Sequence, residues 1–317
     1  MGMPYLEITT MIGCTLHCKI CPQDLLIKAY RKRIAQQTKK KNTKPLKQII
    51  SGFFADTCKC NNTDYYLTLF NFKKIVNKLP GYVKLSFAGM SEPWLNPNCT
   101  RMLAYALEKS FKISIYSTLV GMTARDAEAV CNLLRLHANQ MVNVVVHLPD
   151  SLGHMQNWKI TDDYKQALGY FITLQNEKIL PHISMMTMNT EGDLHPDLNY
   201  LGWKIPGFRP SSRSGNVTLL KTQQFAYVEP VTCCISPFYD LNVLLPNGDV
   251  ALCCHDYGLR HIIGNLLNDD YFDILSKHEL YRLNMQYGSD KSLCKKCHRA
   301  IPYCLNIKND WIPCEKS

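Results

Sequence analysis

Five apolar runs of strand length, at residues 5–11, 83–87, 113–117, 142–147 and 182–188, are separated by intervals long enough to hold a helix each. A strand that must be covered on both faces reads as a short, nearly continuous apolar run, and helices between successive strands are what supply that cover. Several intervals also carry helix-start signals. Thr68 can cap 69–77, Thr123 precedes 124–137 with Asp126 at the capping-box position, and Asp162 opens a helix towards Lys178. At least four βα units in succession predict an α/β chain with a parallel sheet wrapped by helices. In such folds the loops at the carboxyl ends of the strands carry the chemistry.

The first of those loops reads Cys14-Thr-Leu-His-Cys18-Lys-Ile-Cys21, a C-x3-C-x2-C spacing. Three thiolates this close can face one point. A four-iron cluster takes one thiolate per iron, so three cysteines leave one iron open to a small ligand. A structural zinc site needs a fourth ligand, which His17, Cys58 or Cys60 could supply.

With 15 cysteines and no basic flank leading into an apolar segment at residues 1–10, the chain reads as cytoplasmic, its thiols reduced and available to metal. No run approaches the roughly 20 apolar residues that span a bilayer. The net charge of +10 is partly concentrated in residues 28–47. That run has one aromatic, Tyr30, and no nucleic-acid motif, so it reads as a solvated helix end and loop, or as a dock for an acidic electron carrier.

After about Ser211 the pattern changes to a hairpin, a helix and cysteine-rich loops, which places a boundary near Gly215 and two domains at 1–215 and 216–317. The hairpin signal is Pro246-Asn-Gly-Asp249 between residues 241–245 and a strand ending at Cys253-Cys254. Adjacent residues of a strand face opposite ways, so one of Cys253 and Cys254, and one of Cys233 and Cys234, is expected to serve a given metal site. Cys294-Lys-Lys-Cys297 can complete four thiolates, for which a zinc ribbon is the structural alternative.

These motifs together resemble the radical S-adenosylmethionine (SAM) superfamily, whose C-x3-C-x2-C motif follows the first strand of a barrel. The resemblance implies a partial (βα)6 TIM-like barrel with a small C-terminal hairpin-plus-helix iron–sulfur domain. It implies a [4Fe-4S] cluster on Cys14, Cys18 and Cys21 whose open iron chelates SAM, and reductive cleavage of SAM to a 5′-deoxyadenosyl radical. Ile20 stands where the family often has an aromatic residue. Gly89-Met90-Ser91-Glu92 is similar to the Gly-Gly-Glu-Pro stretch that holds the SAM amino group, and Ser117, Thr118 and His147 sit at strand ends that contact cofactor or substrate. Arg213 could pair with a carboxylate there, although a surface salt bridge is the plainer reading of it.

The C-terminal motif resembles the SPASM or shorter twitch domain, which implies an auxiliary [4Fe-4S] cluster on Cys234, Cys253, Cys294 and Cys297. The later spacing departs from a full SPASM domain, so one auxiliary cluster is expected, with Cys233, Cys254, Cys304 and Cys314 left over for a possible second. The resemblance further implies a reduced flavodoxin- or ferredoxin-like donor and a small polar substrate, sugar- or cyclitol-like. A peptide substrate is the alternative, weakened because thirteen residues before Cys14 are too few for a leader-binding domain. The non-enzymatic alternative is a zinc-binding adaptor with a basic arm for nucleic acid.

Overall fold

The computed structural model describes residues 4–40, 64–207, 211–218, 222–228, 230–232, 241–286, 292–305 and 311–313. Each of the five expected strands forms: β1 (Tyr5–Ile8), β2 (Lys84–Phe87), β3 (Ile113–Ser117), β4 (Met141–Leu148) and β5 (Ile183–Thr187). They pair in parallel in the order β5-β4-β3-β2-β1. Helices α1 (Gln23–Lys40), α2 (Leu69–Val76), α3 (Cys99–Glu108), α4 (Ala124–Leu136) and α5 (Asp162–Asn176) connect them. Thr68 and Thr123 cap α2 and α4, the latter with both halves of the capping box formed. Asp162 is the first residue inside α5, and Thr161 is its cap, accepting from the Tyr164 amide.

One large core cluster backs strands β1 to β5, and a second gathers Leu26 and Tyr30 of α1 with Val243, Leu245 and Ala251. On α4 the residues Ala127, Val130, Cys131 and Leu134 recur at helical spacing and are all buried. Full burial of a side chain of Val or Leu size stabilises by roughly 1.5–3 kcal/mol. Leu6 and Ile8 of β1 are buried, whereas Tyr5 and Glu7, on the opposite pleat, border the cleft described below.

The chain then does something that local pattern does not show. After the two-residue strand β6 (Val231–Thr232), strand β7 (Leu241–Leu244) lies against β1, parallel and in register with Glu7 opposite Val243. It is the sixth parallel strand, and β8 (Asp249–Ala251) and β9 (Ile262–Asn265) continue the sheet antiparallel beyond it. The hairpin expected in the C-terminal unit is thus part of the main sheet, which ends at β5 on one side and β9 on the other. At the β7–β8 turn Gly248 has φ +85, and a Cβ there would meet Leu267 Cγ at 2.6 Å. Helix α6 (Tyr271–Gln286) packs on β9, and β10 (Ile301–Leu305) joins β11 (Trp311–Pro313) and β6 in a second, small sheet.

Residues 28–40 of the basic run are helical, and the rest of it lies outside the described residues. Arg33 is not simply solvated: its guanidinium pairs with the buried carboxylate of Asp249, which also accepts from Gln37 at 3.1 Å and Asn265 at 2.9 Å. Helix α1 is tied in this way to the β7–β8 turn.

Candidate active site

The cysteine loop leaves β1 and turns at Gly13, φ +99, and His17, φ +46. It is fastened to the segment after β4: the Lys19 amide donates to His154 O at 2.9 Å, and the Asn157 amide to Leu16 O at 3.1 Å. That segment is itself organised by the buried pair Asp150 and His154, 2.9 Å apart. Cys14, Cys18 and Cys21 all line one cleft of about 540 Å³ at the carboxyl ends of the strands, and all three are free thiols.

Burial pushes the Cys14 thiol up to about 11. Cys18 is raised further, by burial first and then by the Cys21 and Cys14 thiolates. Ionising all three at once is therefore costly unless a cationic metal group sits among them, and the donor set fits a cluster in that respect. Cys21 Sγ is 3.5 Å from the Gln23 side-chain amide and 3.7 Å from the Tyr257 hydroxyl.

The stretch after β2 forms the adjacent wall. Gly89 has φ +57, and a Cβ on it would lie 2.4 Å from Thr9 Oγ1 and 2.7 Å from the Thr9 backbone, so glycine is required there. Glu92 is buried, and its carboxylate accepts from Ser117 Oγ, Thr118 N and Thr118 Oγ1, each at 2.7 Å, and from Trp94 N at 3.3 Å. Burial raises its pKa and these donors oppose the rise. A carboxylate offers about four lone-pair sites, so Glu92 is satisfied within the protein and welds the β2 loop to the end of β3.

Two other polar atoms on this wall are buried with no hydrogen-bond partner, Gln23 Oε1 and Ser91 Oγ. Among the described residues neither has a partner, and both can accept, as an ammonium group requires. Gln23 is fixed by donating to the Met90 carbonyl.

Inward-facing side chains of the sheet make the floor: Tyr5 and Glu7 from β1, Ser86 from β2, Tyr116 from β3, His147 from β4 and Met186 from β5. Burial and the charge of Arg213 push His147 down to about 4, so its imidazole is neutral at pH 7. Burial also holds the Glu7 carboxyl well above the usual range; Cys254 adds to this, and Arg213 and Arg299 oppose it.

Arg213 is half-buried rather than on the surface. It donates to the Tyr257 hydroxyl at 2.7 Å and lines the cleft with Tyr257, Cys254 and Arg299. Arg213 and Ser214 both have positive φ, 44° and 57°, in the tight turn that delivers the guanidinium.

The C-terminal cysteines meet on the other side of this wall. Cys253 and Cys254 follow β8 in a turn, not in the strand, so the alternation of a pleat does not separate them, and their thiols share a hydrogen bond. That bond, with Arg213 and Arg299, draws Cys254 down to about 7. Cys294 lies within the 3-10 turn Leu293–Lys296 and Cys297 caps its end; both pack with Val231 and Ala300, and Cys294 is within electrostatic reach of Cys253. His255, Cys297 and His298 place ligand atoms within 4.8 Å of one another. The fourth expected ligand, Cys234, lies outside the described residues with Cys233 and Cys314, while Cys304 stands in β10 opposite Ile312.

Residues 233–298 match the SPASM family, described as an iron–sulfur cluster-binding domain. The structure is similar to that of BtrN in complex with AdoMet and 2-DOIA, with 16% identity, a TM-score of 0.54 and 93% of each chain covered. The chain shares the fold of BtrN, and its SPASM match is confined to residues 233–298. A second BtrN structure, in an open conformation, matches with 14% identity and a TM-score of 0.50 over 93% of this chain and 92% of that one. AdoMet-bound anSMEcpe follows with 14% identity and a TM-score of 0.46 over 93% and 83%. No curated protein matches the sequence.

Sequence reasoning had not marked Glu7, Gln23, Tyr116, Cys254 or Tyr257 as lining the cleft. Glu7 did carry a signal, an acid at alternate spacing in an otherwise apolar first strand. Gln23 lies two residues after Cys21, but its bond to the Met90 carbonyl, 67 residues away, is not written locally, nor is that of Tyr257 to Arg213, 44 residues away.

Proposed function

We propose that the chain is a radical SAM oxidoreductase that takes a hydrogen atom from a small polar, hydroxylated substrate. One observation carries this reading: a single cleft is bordered by Cys14, Cys18 and Cys21, by the Gly89–Glu92 wall with its orphaned acceptors, and by Cys254 beside the auxiliary cysteines. When bound, a reduced four-iron cluster with SAM supplies a 5′-deoxyadenosyl radical, and an auxiliary cluster takes up an electron.

The chain's own residues do the rest. Gln23 and Ser91 offer acceptors to the SAM ammonium, and Glu92 holds the wall rigid through Ser117 and Thr118. Tyr257 and Arg213 close the side nearest Cys254. Neutral His147 and the buried Glu7 carboxyl are placed to hydrogen-bond hydroxyl groups of a substrate on the floor. A floor of tyrosine, serine, histidine and carboxyl groups suits a hydroxylated ring better than an apolar side chain, and the small-molecule ligand 2-DOIA in BtrN agrees with this. The electron donor is proposed to be a reduced flavodoxin- or ferredoxin-like protein.

The test is anaerobic reconstitution with iron and sulfide, followed by measurement of 5′-deoxyadenosine in the presence of reductant and SAM. Slow uncoupled cleavage is expected. A protein that takes up zinc without iron and forms no 5′-deoxyadenosine is not this enzyme.

A further inference from the structure

A TIM-like barrel interior is ordinarily filled by layers of branched side chains. Here the inward positions of neighbouring strands are small and polar: Ser86 on β2, Ser114 on β3, Asn143 on β4 and Ser184 on β5, with Ser86, Ser114 and Asn143 in register across the sheet. A second cavity of about 610 Å³ lies at the amino-terminal ends of β4 and β5, lined by Tyr5, Ser114, Tyr116, Asn143, His182 and Ser184 together with apolar Val142, Leu180 and Ile183, with Lys178 also on its wall.

Tyr5 and Tyr116 belong to the walls of both cavities. Tyr116 is 36% exposed although it stands on a central strand; its ring lies against that of His147 at 6.5 Å between centroids, and Lys84 Nζ sits 5.0 Å over the Tyr5 ring. The Tyr116 hydroxyl is held by the Asn143 amide at 3.1 Å. Among the described residues no carboxylate lines this cavity, and Lys178 and His182 are its ionisable lining groups apart from the tyrosines.

We infer that the lower cavity is a second substrate subsite, which takes another hydroxylated ring passing between Tyr5 and Tyr116. This inference rests on the proposed function. The upper cleft of about 540 Å³ has to accept a cluster, SAM and the reacting ring, so a second ring of a larger substrate would find room only in the neighbouring cavity, which shares Tyr5 and Tyr116 with the cleft. Aromatic faces with serine, amide and lysine donors around them suit a saccharide, which presents apolar C–H faces and a rim of hydroxyls. The substrate is accordingly read as a glycoside of two rings, neutral or bearing an acidic group at the Lys178 end.

The experiment uses the full chain, reconstituted with iron and sulfide and saturated with SAM, with myo-inositol as the one-ring probe and maltose and chitobiose as two-ring probes. Binding is followed by calorimetry and saturation-transfer NMR. At least one two-ring probe is expected to bind ten-fold or more tighter than myo-inositol, with transfer to both rings. Ser184→Trp, at an exposed position, is expected to remove that gain and leave myo-inositol binding unchanged.

The inference is overturned if no two-ring probe binds better than myo-inositol, or if Ser184→Trp leaves two-ring binding unaltered in a folded protein. Wild-type 5′-deoxyadenosine formation separates the two failures: present without two-ring binding, the subsite alone is wrong, whereas its absence removes the chemistry first.

Discussion

The two cysteine regions use the same donor atoms in opposite ways. Cys14, Cys18 and Cys21 come from eight consecutive residues on one strand-end loop, and all three face a cleft. Cys253, Cys294 and Cys297 come from two stretches more than forty residues apart, and Cys294 and Cys297 are buried against Val231 and Ala300, with His255 and His298 close by. Three ligands on an open wall leave coordination for a cofactor, whereas ligands gathered from several elements and enclosed do not. On the proposed reading the first arrangement serves chemistry at a bound metal group, and the second holds one and passes charge.

The sharpest way to break that comparison is to remove one thiol from each region. Cys18→Ala is expected to lower 5′-deoxyadenosine formation by 100-fold or more and to lose about four irons per chain. Cys294→Ala should lose a similar amount of iron yet retain most of the uncoupled cleavage, and equal losses of cleavage in both variants would erase the distinction.

Gly89→Ala bears on the open region alone. A Cβ 2.4 Å from Thr9 Oγ1 and 2.7 Å from its backbone, on a residue at φ +57, is expected to cost about 3 kcal/mol in urea unfolding.

His147 tests the floor beneath both regions. Its folded value, about 4, lies below the ordinary value of about 6.5 for an exposed imidazole, so the unfolded chain binds a proton between those two pH values that the folded chain does not. Stability should therefore fall as pH drops from about 6.5 to 4, by up to about 1.4 kcal/mol per unit from this residue. His147→Gln should flatten that part of the profile; an unchanged slope would show that the imidazole is solvated.

Arg33→Ala asks whether α1 couples the loop to the hairpin. It leaves the buried Asp249 carboxylate with amide partners only, and a loss of about 2 kcal/mol is expected, discounted because Arg33 is 30% exposed. Thr123→Ala, far from both regions, serves as the small reference, costing about 1 kcal/mol through the lost cap.

Much of the open region was legible because it is local. The cysteine spacing, the strand before it, the capping box at Thr123 and Asp126 and the five strand runs each depend on residues a few positions apart. The Gly89–Glu92 stretch was legible as a position but not as an arrangement. Glu92 spends its carboxylate on Ser117, Thr118 and Trp94, and the unmet acceptors are Gln23 Oε1 and Ser91 Oγ. Arg213 read most simply as a surface ion pair, and the turn at 213–214 brings it into the cleft beside Tyr257.

Periodicity and short-range spacing by themselves determined the βα succession and the place of the three-cysteine loop, because backbone hydrogen bonding and pleat alternation act between near neighbours. Only the tertiary structure decided that the hairpin at 241–251 would become the sixth parallel strand and its neighbour, that Cys254 would look into the first cleft, and that a second cavity would share Tyr5 and Tyr116 with that cleft. Those outcomes depend on which surfaces meet after the helices have covered the sheet, and a sum over facing side chains is not written in any one stretch of chain.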